Sequence, residues 1–172
     1  MINLLCFKRN SFSLFLLLGV FSSCSTSKVI VVRHAEKAPA ESGTMMSNDV
    51  LLSEAGNQRA GKLKTILQQE KIVAIYSTQT KRTVATVQPL SQFKNIPVQF
   101  YSHRDTLAAF IQKVKQHKKG SVVIVGHSNT VDDVVNQFLG RSELSDLPET
   151  EYDNLFELHR KGAKYTLQKK KF

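Results

Sequence analysis

Arg33 and His34 stand directly after four β-branched residues, Val29 to Val32, and two other apolar runs end the same way. Ile72–Tyr76 leads into Ser77 and Thr78, with Arg82 one helical turn later, and Val122–Val125 leads into Gly126-His127-Ser128-Asn129. Two guanidinium groups and two imidazoles are poorly suited to a cation and well suited to an oxyanion. Arginine forks take the oxygens of a phosphate bidentately and stay charged at any biological pH. Phosphoryl transfer calls for this kind of positive cage, because positioning and electrostatic stabilisation dominate its catalysis. The sequence offers no paired-histidine spacing and no acidic cluster that would make a competing metal site, so no metal and no cofactor are expected.

The elements that must bring these groups together can be read from hydrophobic patterning. The three runs are nearly continuous in apolar residues, as strands covered on both faces are. A shorter strand, Val98–Tyr101, is expected after Pro97. Helical spacing fills the gaps. Ser53 can cap a helix that carries Ala55, Ala60, Leu63, Ile66 and Leu67 and runs to about Gln69. A second helix is expected from Thr80 to Gln88, stopped by Pro89. A third, from Arg104 to His117, places Leu107, Phe110, Ile111 and Val114 on one face, with Gly120 just beyond. The fourth follows a capping box, Thr130-x-x-Asp133, and carries Val134, Val135, Phe138 and Leu139 up to Gly140. Residues 141–153 read as a loop, and Leu155–Leu158 with Tyr165–Gln168 as a closing strand pair at an edge. Strand and helix alternate, so the expected class is α/β, a three-layer α/β/α arrangement around a mainly parallel open sheet. In such a sheet the three polar strand ends fall on one edge, where open α/β folds bind ligands.

With the motifs in this order, the chain resembles the histidine phosphatase superfamily, also called phosphoglycerate-mutase-like. The resemblance rests on Arg33-His34-Ala35-Glu36-Lys37, on Leu51-Leu52-Ser53 with Gly56, Arg59 and Ala60, on Tyr76-Ser77-Thr78 with Arg82, Thr83 and Thr86, and on Val125-Gly126-His127-Ser128-Asn129. It implies a phosphoglycerate-mutase-like fold over residues 24–172 and a metal-independent phosphatase acting on phosphate monoesters or phosphohistidine. His34 matches the nucleophile that becomes phosphohistidine, Arg33 and Arg82 the two arginines of the phosphate pocket, and His127 the second histidine that contacts the phosphoryl group. Attack by a histidine divides hydrolysis into two easier steps. His34 must be neutral to attack, so its other ring nitrogen is expected to donate to a backbone carbonyl. His127 is expected to act as a protonated, positive partner of the phosphoryl oxygens.

The superfamily commonly uses an acid to protonate the leaving group, and two carboxylates are candidates. Asp105 lies in the right interval between Arg82 and His127, although Ser102-x-x-Asp105 also reads as a helix capping box. Glu36 is two residues from the nucleophile, with a salt bridge to Lys37 or Arg59 as its alternative. Ser77 and Thr78 are candidates to donate to phosphate oxygens or to cap the following helix. Asn129 is a candidate to orient His127, bind substrate or form a turn, and Lys37 to add positive charge or stand solvated. His103, His117 and His159 read as surface or loop histidines.

Residues 1–23 have the order of a secretory signal, in which Lys8 and Arg9 precede the apolar run Phe12–Phe21 and then Ser22, Ser23 and Cys24. The run is short for a span, which takes about 20 apolar residues. The segment ending in Cys24 resembles a bacterial lipoprotein signal, which implies lipidation of Cys24 and a periplasmic or cell-envelope domain anchored to a membrane. Cys6 would leave with the signal, so no disulfide is expected. The formal charge of +10 suits anionic substrates or an anionic membrane surface. Nucleic acid is disfavoured as a partner, because aromatic residues do not interleave with the basic ones. A mutase would need a larger insertion after Lys94 to close over a sugar phosphate, and a non-catalytic phosphate-binding protein would need the arginines but no nucleophile.

Overall fold

The computed structural model describes residues 27–39, 49–102 and 106–172; the signal segment, Cys24 and Asp105 lie outside the described residues. In chain order the elements are β1 (Lys28–Arg33), α1 (Glu54–Leu67), β2 (Ile72–Ser77), α2 (Lys81–Lys94), β3 (Val98–Phe100), α3 (Leu107–Lys115), β4 (Ser121–Gly126), α4 (Val131–Leu139), β5 (Asn154–Lys161) and β6 (Lys164–Lys171). The six strands form one sheet in the order β3-β2-β4-β1-β5-β6. Strands β3, β2, β4 and β1 are mutually parallel, and β5 runs antiparallel to both β1 and β6.

Side-chain alternation divides the core into two layers. Ile30 and Val32 of β1 pack with Leu63 and Leu67 of α1 and Val87 and Leu90 of α2. Val29 and Val31 face the other way, onto Phe110, Ile111 and Val114 of α3 and Val134, Val135 and Phe138 of α4. The central strands carry apolar side chains on both faces because each face has its own helical layer. Burial of a side chain such as Leu63 or Leu90 contributes about 2 kcal/mol. The expected three-layer α/β class is the one observed. Both outer strands differ from the central ones: β3 has three residues, and β6 exposes Lys164, Lys169, Lys170 and Lys171.

Four local expectations are corrected. Helix α2 does not stop at Pro89 but continues to Lys94, where Asn95 adopts a left-handed conformation (φ 53°). The proline removes one helical hydrogen bond, yet Val87 and Leu90 on either side of it are fully buried, and their packing outweighs that loss. Helix α3 is shorter than expected, and the closing strands are longer, forming an antiparallel hairpin from Asn154 to Lys171. The capping box at Thr130 does not form; Thr130 Oγ1 instead accepts from the backbone N–H of His127 at 2.9 Å. At α1 the expected cap is present, with Ser53 Oγ accepting from the Gly56 N–H at 3.1 Å. Gly56 also brings α1 against the loop after β1, where a Cβ would collide with the Glu36 carbonyl oxygen.

Candidate active site

At the C-terminal edge of the parallel strands lies a cavity of about 750 Å³, lined by His34, Arg82 and His127 with Lys37, Thr78 and Glu149. Each of the three central strands delivers one part of it. His34 leaves β1 with its N–H bonded to Gly126 O at 2.9 Å, so the first histidine is tied to the strand that supplies the second. The imidazole rings of His34 and His127 stand 5.4 Å apart between centroids. Gly126 leaves room for the side chains beside the second histidine, since a Cβ there would sit 2.9 Å from Thr130 Oγ1 and 3.1 Å from Tyr101 Oη.

The His34 ring is 3% exposed, and its Nδ1 lies 2.7 Å from Ala35 O. A carbonyl can only accept, so Nδ1 carries the proton and Nε2 keeps its lone pair. Burial, joined by the charges of Arg82 and Arg33, lowers the His34 pKa to about 4 against the pull of that carbonyl. The ring is therefore neutral near pH 7, as a nucleophile requires.

His127 is positioned by a chain of hydroxyls. Its Nε2 lies 2.9 Å from Thr78 Oγ1, which donates onward to Thr83 Oγ1 at 3.2 Å. Arg82 Nη2 approaches Nδ1 at 3.3 Å. A guanidinium only donates, so Nδ1 accepts and the proton sits on Nε2, facing Thr78. With Arg82 against one ring nitrogen and Thr78 against the other, the His127 ring is fixed in orientation at the cavity wall. Arg82 also faces Asp49, at 3.8 Å.

Three other expected site residues are placed differently from the sequence reading. Arg33 does not line the cavity. Residues Val29 and Val31 face the α3/α4 layer, and the alternation sends Arg33 to that side as well. There it is 1% exposed and donates to Pro148 O (2.7 Å), Glu151 O (3.1 Å) and the Glu149 carboxylate (2.9 Å), with its guanidinium 4.2 Å from the centre of the Tyr152 ring. Ser77 is fully buried and donates to Thr78 O at 2.8 Å, so the hydroxyl facing the cavity is that of Thr78. Glu36 pairs with Arg59 through contacts of 2.6 and 2.9 Å and is not in the cavity wall. That pairing lowers the Glu36 pKa, so the group is an ionised partner and not a proton donor. Asp105 lies outside the described residues. Lys37 and Asn129 do line the cavity, both exposed. Among the described residues no group of three or more His, Cys, Asp or Glu could hold a metal ion.

Glu149 is the site residue that sequence reasoning missed. Its carboxylate accepts from Ser128 Oγ at 2.6 Å and from Arg33 Nη2 at 2.9 Å, and Lys37 Nζ stands 3.5 Å away. The hydrogen bond from Ser128, with the charges of Arg33 and Lys37, lowers its pKa to about 2. One signal was available: Asp146, Glu149, Glu151 and Asp153 form a short acidic stretch in a chain of net charge +10.

The α/β fold, with its six-stranded, mostly parallel sheet and four helices, matches that of histidine-phosphatase and phosphoglycerate-mutase-like structures. Residues 29–103 match the family model described as histidine phosphatase superfamily (branch 1). Among solved structures the chain is similar to the protein histidine phosphatase SixA complexed with tungstate, at a TM-score of 0.67 and 14% identity over 84% of this chain and 96% of that one. It is also similar to a phosphoserine phosphatase from Entamoeba histolytica in complex with 3-phosphoglyceric acid, at a TM-score of 0.61 and 13% identity over 83% and 95%. A third is the mycobacterial glucosyl-3-phosphoglycerate phosphatase, at a TM-score of 0.59 and 14% identity over 86% and 98%. These structural neighbours are phosphatases. No curated protein matches the chain.

Proposed function

We propose that the protein is a metal-independent phosphatase that hydrolyses phosphate monoesters or phosphohistidine through a phosphorylated His34. The observation that carries this reading is the fixed tautomer of His34: a proton on Nδ1 bonded to Ala35 O, and a lone pair on Nε2 beside Arg82 and His127. In the first step Nε2 forms a bond to phosphorus, the bond from phosphorus to the leaving group breaks, and the leaving group takes a proton. In the second, water attacks phosphorus, the P–N bond breaks, and inorganic phosphate leaves neutral His34 behind. Arg82 supplies the direct guanidinium contact to the phosphoryl oxygens, and Lys37 and Asn129 line the approach. The charge of Arg33 acts through the field, since the loop after α4 holds its Nη1 and Nη2 groups. His127 contacts the phosphoryl group once Arg82 turns from the ring to the anion. Asp105 remains the proton donor assigned to poor leaving groups, because Glu36 and Glu149 are both ionised. From the order of Lys8, Arg9, the apolar run Phe12–Phe21 and Cys24 we further propose a domain at the cell envelope, tethered by lipid on Cys24, where a basic surface near the bilayer is favourable.

The test is hydrolysis of an aryl phosphate in the presence of a chelator, with trapping of the intermediate. Acid-labile label on His34 and undiminished rate with chelator are expected. A rate lost on chelation, or label that does not depend on His34, would reject the mechanism.

A further inference from the structure

Glu149 places a fixed negative charge in the wall of an otherwise cationic cavity. Its carboxylate is oriented by hydrogen bonds from Ser128, after β4, and Arg33, at the end of β1, and by an ion pair with Lys37 in the loop that follows β1. A carboxylate has about four acceptor positions, and among the described residues these groups do not fill them all. The side chain is 67% exposed, which keeps the carboxylate within reach of a bound molecule. Burial cannot neutralise the group, because Ser128, Arg33 and Lys37 stabilise its ionised form. The phosphoryl group belongs at His34, Arg82 and His127, so Glu149 faces what is attached to it.

We propose that Glu149 is a specificity determinant that favours phosphorylated substrates bearing an ammonium or other cationic N–H group beside the phosphate and disfavours those bearing a second anion. The inference rests on the phosphatase reading above and adds the chemistry of the leaving group. An ammonium at an open acceptor position forms a charge-assisted hydrogen bond. A carboxylate or second phosphate in the same place meets like charge at short range, and such juxtapositions strongly disfavour binding.

Three small alkyl phosphates of similar size test the idea: phosphoethanolamine, propyl phosphate and phosphoglycolate, which carry an amine, a methyl group and a carboxylate. In the wild-type protein kcat/KM is expected to fall in that order, with the amine preferred over the acid by roughly tenfold or more. Replacing the carboxylate by Glu149→Gln should shrink the preference to within about threefold, and Glu149→Ala gives the same readout should the amide not fold. Three results would overturn the proposal. The wild type could prefer phosphoglycolate, which needs no variant to observe. The folded variants could keep the wild-type ratio. Or all three substrates could change by one common factor, which would make Glu149 a mere competitor for the anion donors. Failure of the phosphatase reading is separately visible, as absence of aryl phosphate hydrolysis in the wild type.

Discussion

At the N-terminal end of the parallel strands, Lys28 donates to Glu70 at 2.7 Å and contacts Glu157 at 3.3 Å, Ser121 donates to Glu70, and Lys170 and His159 close on Glu157. At the C-terminal end of the same strands, Arg33 and Lys37 meet Glu149, Arg82 meets Asp49, and two histidines line the cavity. The residue types are similar and the scaffold is the same sheet. The difference lies in what the charges enclose: one end closes its cations onto Glu70 and Glu157, while the other sets Arg82, Lys37, Glu149 and two histidines around an open cavity. The first arrangement holds strands together. The second leaves donors within reach of a molecule from outside, which is why that end is the candidate site.

Breaking the second end should stop chemistry and spare the fold. His34→Ala is expected to lower aryl phosphate turnover by roughly 10⁴-fold or more, with an unchanged melting temperature; turnover near the wild-type rate would erase the contrast. Arg82→Met should cost about 10²- to 10³-fold in kcat, the scale of losing one donor to a developing charge. The corresponding change at the first end, Glu157→Gln, should leave kcat within about twofold and lower stability by roughly 1–3 kcal/mol, read by urea denaturation.

The two ends also differ in how they answer to acid. His34 must be neutral, and its pKa is lowered chiefly by burial to about 4, so kcat/KM should hold down to about pH 4 before it falls. A limb from His34 near its ordinary 6.5 would contradict this. The folded pKa lies below the unfolded one, so the unfolded chain binds the proton first, and stability drops as pH falls from 6.5 towards 4. Glu157 acts in the same direction by another route. Burial would raise its pKa, but Lys170 and Lys28 overcome that and lower it. Its contribution is full above the ordinary carboxylate value and disappears as pH falls through the folded one. Glu36→Gln should have the smallest effect: turnover unchanged, and a loss below about 1 kcal/mol from the Arg59 pair.

What could be read from the sequence follows from what is local. The strands after which His34, Thr78 and His127 fall are apolar runs, and Ser53 is a cap whose partner, Gly56, is three residues away. These need no knowledge of the rest of the chain. The errors concern long-range contacts. Arg33 carries the same motif whether it lines the cavity or not; its side chain is diverted by carbonyls at positions 148 and 151, more than a hundred residues along. Glu36 is adjacent to the nucleophile in sequence, yet Arg59 on α1 takes its carboxylate. Pro89 is a local stop signal overruled by the packing of Val87 and Leu90. Glu149 sits in a segment without periodicity, where only an unusual density of acids could have drawn notice.

The outermost strands of the sheet have a consequence for chains held close together. A neighbour offering its backbone to β3 would gain a ladder only three residues long. One offering itself to β6 would meet exposed lysine side chains, which blunt a sheet edge. Edge-to-edge pairing between copies is thereby disfavoured on both sides of the sheet.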